Sequence, residues 1–142
     1  MADANTKLLL HLNGTDAATE TYDSSPSEHE ITFVGGSELD TAWKWQGLSS
    51  LLVDGTDGRL TVADHADWDR GASDYTIDTR IRLNAKDKLQ TITGKNTGAT
   101  WYQLRFQVSA DNFLEAMVDD TAHNYYWSRA SNLALDVDTD YH

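Results

Sequence analysis

The sequence predicts an all-β protein, a single domain of about ten short strands arranged as a sandwich or barrel. Three observations predict it. Apolar and polar residues alternate with a period of two along most of the chain. Turn-forming clusters recur about every 8–12 residues between those runs. The acidic residues are 18 Asp against 5 Glu. Asp favours turns and caps, because its short side chain bonds nearby backbone N–H groups, whereas Glu suits helix interiors. No segment of a dozen residues holds a 3.6 period, and no internal repeat or linker is visible.

The elements follow in order. KLLLHLNG (7–14) reads as a strand buried on both faces, and the Asn13-Gly14-Thr15 sequon after it reads as a plain turn rather than a glycosylation site. The polar run from Asp23 to His29 is a loop carrying the only proline, Pro26. EITFVGG (30–36), SSLLVDG (49–55) and RLTV (59–62) are strands. ADHADWDRG (63–71) reads as one helical turn, with Asp64 or Asp67 as its cap, Trp68 packing onto the sandwich and Gly71 ending it. In YTIDTRIRL (75–83), Tyr75, Ile77, Ile81 and Leu83 share one face and Thr76, Asp78, Arg80 and Arg82 the other.

LQTITGK (89–95), WYQLRFQV (101–108), FLEAMV (113–118) and NYYWSRA (124–130) alternate in the same way. NAKDK (84–88) stands before them, and NTGA (96–99), SADN (109–112) and DDTAHN (119–124) between them, as turns. The last two are short enough for hairpins. DVDTD (136–140) is a solvated turn leading into a last strand.

Composition excludes several function classes. A length of 142 residues suffices for a real core, and the absence of cysteine rules out disulfides and thiol chemistry. A net charge of -12 argues against nucleic acid and against an anionic membrane surface as partners. The N-terminus, MADANTKLLLHL, carries Asp3 before a short apolar run, so it reads as neither a signal peptide nor a membrane span. A role outside the cell then implies another route of exit, such as release in a virion.

The order of motifs resembles a known family. LLLHLNGTD (8–16), DSS (23–25), a Gly-flanked strand and SSLLVDGTDGRLTVADHADWDRGASDYTIDTRIRL (49–83) follow one another. This resembles the laminin-G-like members of the concanavalin A-like lectin/glucanase superfamily, over residues 7 to 108 and more loosely beyond. The resemblance implies a jelly-roll β-sandwich of two curved antiparallel sheets. It implies little about function, because that superfamily spans lectins, glycosidases, adhesion modules and phage appendages. Family domains continue past a "WYHVA"-like strand, whereas here Asp140-Tyr141-His142 reaches only its start. The expectation is a piece of a longer protein, or a partner chain that supplies the last strands.

Candidate chemistry is sparse. ELDTAW (38–43) offers Glu38 and Asp40 but lacks the second glutamate that a retaining glycosidase needs. DVDTD lacks the glycine and the closing glutamate of an EF-hand. Seven aspartates lie between positions 53 and 78. Most read as turn punctuation. Asp54 and Asp57 flank Gly55 in a tight turn, and with Asp16 they are the candidates for the rim Ca2+ that laminin-G-like domains often carry. No second histidine stands at metal-ligand spacing from His65, so zinc is not expected.

Sugar sites use aromatic rings for stacking and Asn, Gln, Asp or Arg for the hydroxyls. Trp101, Gln103, Arg105, Asn124 and Tyr126 form the candidate platform. The sequence therefore predicts a non-catalytic binding or adhesion module for glycans, extracellular or on a virion surface. Such a module would belong to an oligomer or larger assembly, with no nucleic acid and no membrane insertion. The alternatives are a capsid-decorating or tail-fibre structural protein and, more remotely, a glycoside hydrolase.

Overall fold

Alternating segments bounded by turns pair into ladders, and the strands here pair in antiparallel register. The computed structural model describes residues 2–69, 73–96, 102–119 and 124–142. It is an all-β structure with no α-helix among these residues. The contacts group the chain into two units, Met1–Thr76 and Ile77–His142, described in turn.

The first unit holds two small antiparallel ladders. β1 (Ile31–Val34) pairs with β4 (Arg59–Val62), setting Ile31 opposite Val62 and Val34 opposite Arg59. β2 (Glu38–Asp40) pairs with β3 (Ser50–Leu52). Gly35 makes the corner between β1 and β2 at φ 63°, and a Cβ there would run into the Asp57 carboxylate. Leu39, in the middle of β2, is fully buried. Its backbone exchanges bonds with the 17–18 segment: Ala17 N–H donates to Leu39 O and Leu39 N–H to Ala18 O, both at 2.8 Å.

Residues 7–14 are not the regular buried strand that their apolar run predicts. They make one bridge, Leu10 to Asp23, and Leu8 is 38% exposed. Side-chain oxygens take the place of a partner strand. Leu9 N–H donates to Asp23 Oδ1 and Gly14 N–H to Ser49 Oγ. Asn13 likewise uses its side-chain oxygen internally, accepting from Leu48 N–H at 2.9 Å.

The predicted helical turn exists as a 3-10 turn over Ala66–Trp68, but its cap is neither Asp64 nor Asp67. His65 caps it, its Nδ1 accepting the Asp67 N–H at 3.1 Å. Asp67 is drawn away by other partners, given below. Trp68 packs on the His29 ring and donates its indole N–H to Ala63 O. Gly71 lies outside the described residues.

In the second unit β6 (Gln90–Asn96), β7 (Tyr102–Val108), β8 (Phe113–Asp119) and β9 (Tyr125–Ala134) form one sheet in that order, antiparallel throughout. Asn112 closes the β7–β8 turn at φ 68°, its N–H donating to Ser109 O. The 75–83 run forms a strand only at its end, β5 (Ile81–Arg82), which pairs with β10 (Asp140–Tyr141). Tyr75 and Ile77 are 44% and 37% exposed, so alternation there is not matched by burial. Leu83, Val108 and Leu135 are buried together, with Ile81, Ile92, Leu114 and Tyr141 packed around them.

The DVDTD aspartates do not face one another as a cage. Asp136 accepts from Lys86 and Asp138 from Arg82, and Asp138 turns the chain at φ 55° into β10.

Candidate functional site

Successive side chains of a strand point to opposite faces, and residues directly opposite on paired strands share a face. Arg105 stands opposite Met117, which stands opposite Trp127. Gln107 stands opposite Glu115, which stands opposite Arg129. These rows make one mixed polar face. Leu104, Val118 and Tyr126 form a row of the other face.

The mixed face carries a groove of about 300 Å³, lined by Arg105, Gln107, Glu115, Met117 and Trp127 together with Ala116. Gln107 is only 4% exposed, and its Nε2 donates to Glu115 Oε2 at 2.8 Å. Its Oε1 takes no hydrogen bond among the described residues, which leaves a buried acceptor beside the groove. Arg129 closes the row, with Nε 3.8 Å from Glu115 Oε1 and Nη2 2.8 Å from Asp111 Oδ2. Its guanidinium lies 4.4 Å over the Phe113 ring, which holds it in place. Trp127, by contrast, is 66% exposed.

Part of this set is among the residues that the sequence predicts. Arg105 lines the groove, and Gln103 shares its face by alternation along β7. Tyr126 does not join them: its register opposite Val118 puts it on the other face, and Trp127 takes the aromatic position. Asn124 precedes β9 and does not line the groove. Trp101 lies outside the described residues. Glu115 and Trp127 were not expected in this set, and Gln107, which alternation puts on the face of Gln103 and Arg105, was left out of the candidate platform.

The three aspartates expected to hold Ca2+ are not gathered into one site. Asp54 Oδ1 accepts the backbone N–H groups of Thr56, Asp57 and Gly58 within its own turn. Those bonds, led by the one from Thr56, hold its carboxyl below the usual value. Asp57 Oδ1 faces Gly36 N–H, and Asp16 Oδ1 accepts both N–H and hydroxyl of Thr41. These carboxylates organise turns.

Another group does converge. His29, His65 and Asp67 bring one potential ligand atom each to within 4.8 Å of one another. His29 Nε2 is 3.0 Å and His65 Nδ1 3.4 Å from Asp67 Oδ2. Ser27 Oγ donates to the same oxygen at 2.5 Å, and Lys7 Nζ lies 3.4 Å from Oδ1. The Ser27 bond leads in holding the Asp67 carboxyl down at about 2, and His29 and Lys7 add to it against a smaller opposing effect of burial. His29 is placed by Asp23, whose Oδ2 accepts its backbone N–H at 3.0 Å. No second histidine stands at metal-ligand spacing from His65 along the chain, but the fold brings one beside it. Its partner lies 36 positions away, where spacing along the chain gives no signal.

No protein-family model, curated protein or solved structure matches the chain.

Proposed function

We propose that the protein is a non-catalytic binding or adhesion module that recognises glycans through the groove on the β7–β9 face. The observation that carries this reading is the exposed Trp127 ring beside Arg105, Gln107 and Glu115 in one groove. An indole offers a flat apolar surface to the C–H face of a sugar ring. The guanidinium, amide and carboxylate offer donors and acceptors for its hydroxyls. The order of sequence motifs supports a laminin-G-like jelly roll as the frame. The motif order supports display outside the cell or on a virion, within a larger assembly.

The test is a glycan array followed by titration of any sugar that binds. Trp127→Ala abolishes binding, and Tyr126→Ala, on the opposite face, leaves it unchanged. Equal binding by wild type and Trp127→Ala sinks the proposal.

A second reading is favoured by β9 itself. It ends the strand order among the described residues and exposes Tyr126 (62%), Trp127 (66%) and Leu133 (57%) on both faces. Such a strand suits contact with other copies or a neighbouring virion protein. Under this reading Tyr126→Ala and Trp127→Ala both reduce self-association in analytical ultracentrifugation, and no sugar binds.

A further inference from the structure

We propose that His29, His65 and Asp67 form a binding site for a divalent transition metal of the Zn2+ class. Two imidazoles and one carboxylate are the ligands that zinc and its neighbours favour. Calcium takes six to eight oxygens, and this cluster supplies one carboxylate, so the chemistry selects against it.

Distances agree with that choice. Zinc bonds to His N and carboxylate O run about 2.0–2.2 Å, so two ligand atoms of a tetrahedral site stand roughly 3.3–3.5 Å apart. His65 Nδ1 and Asp67 Oδ2 are 3.4 Å apart, and His29 Nε2 and Asp67 Oδ2 are 3.0 Å apart. The third edge lies within 4.8 Å. The two imidazoles meet edge-on, with ring centroids 4.8 Å apart at 69°.

The surroundings hold the ligands in place. Ser27 Oγ anchors Asp67 Oδ2, and Trp68 packs on the His29 ring at 4.6 Å. Asp23 fixes the backbone of His29. Such supporting contacts orient ligands before the ion arrives. His65 Nδ1 accepts the Asp67 N–H, so its ring proton sits on Nε2, and the Nδ1 lone pair turns from that cap to the metal on binding. The His29 Nε2 proton that faces Asp67 moves to Nδ1 or to solvent on binding. The Lys7 ammonium neutralises Asp67 in the metal-free chain, and its 50% exposed side chain can turn to solvent when the ion enters. Three protein ligands leave a coordination position for water.

The test is titration of the full chain with Zn2+ at pH 7.5 by calorimetry, with Co2+ as a coloured substitute and Ca2+ as the control. The expected result is one Zn2+ per chain, a visible Co2+ band, and no heat with Ca2+. His29→Gln and His65→Gln each weaken binding by more than the roughly ten- to hundredfold that loss of a supporting group costs. His11→Gln and His142→Gln bind like wild type. Imidazole 15N resonances of wild type need no variant, and zinc moves those of His29 and His65. No zinc binding at millimolar concentration, or shifts confined to other histidines, overturns the proposal.

Discussion

Replacing Asp23 by alanine should cost about 3–4 kcal/mol of stability. The side chain is 7% exposed and accepts four hydrogen bonds. Oδ1 accepts from the N–H groups of Leu9 (2.8 Å) and Ser25 (2.9 Å). Oδ2 accepts from Ser25 Oγ (2.6 Å) and His29 N–H (3.0 Å). A hydrogen bond to a charged group contributes about 1.5–3 kcal/mol, so four at the low end amount to roughly 6. Leu9 and His29 are only half-buried, and water reaching the freed amides offsets part of that loss. A remainder of about 3–4 kcal/mol is still a large share of the 5–15 kcal/mol typical of a domain.

Asp23→Asn keeps an acceptor at one position and should cost roughly half as much. The assay is urea unfolding followed by tryptophan fluorescence. A pH series adds a sign check. Burial raises the Asp23 carboxyl, but the bonds from Ser25, Leu9 and His29 outweigh it and the net shift is downward. Its stabilisation is therefore complete above the ordinary carboxyl value of about 3.9 and fades as pH falls through the lowered one. The gap between wild type and Asp23→Ala must narrow on acidification. A cost below about 1 kcal/mol at pH 7, or a gap that widens in acid, refutes the reasoning.

Further outcomes follow from the same structure. Leu39→Ala removes a fully buried side chain and should destabilise by about 2–5 kcal/mol in the same urea assay. Asp67 is held down to about 2, so its contribution is present above about 3.9 and is lost between there and about 2. Thermal melts of Asp67→Asn should differ from wild type at pH 6 and converge with it as pH approaches 2.

Legibility from sequence followed the kind of partner that each backbone segment uses. Among the described residues, the predicted strands of 89–95, 101–108, 113–118 and 124–130 are matched by β6 to β9, because their alternation meets backbone ladders, and Ser109–Asn112 forms the turn expected between β7 and β8. Residues 7–14 and 75–80 misled. In the first, the amides bond to Asp23 and Ser49 side chains, a long-range arrangement that apolar periodicity does not encode.

The groove was half legible for a related reason. Alternation put Gln103 and Arg105 on one face, but whether Tyr126 or Trp127 joins them depends on β8–β9 register. A one-residue change in register exchanges the two rings. The His29, His65 and Asp67 group was invisible because its members meet only after the Asp23 loop has folded back onto the 3-10 turn. The aspartates of 53–78 divided accordingly. Asp54 and Asp57 shape turns, and Asp67, read as a cap, became the hub of that group.

The central claim, that the β7–β9 groove takes a sugar, is tested most directly by NMR titration of the 15N-labelled chain with a glycan selected on an array. Saturable shifts are expected at the Trp127 indole N–H and the Gln107 side-chain amide, absent in Trp127→Ala and retained in Tyr126→Ala. Shifts centred on Tyr126, or none at Trp127 and Gln107 while the sugar binds, contradict it.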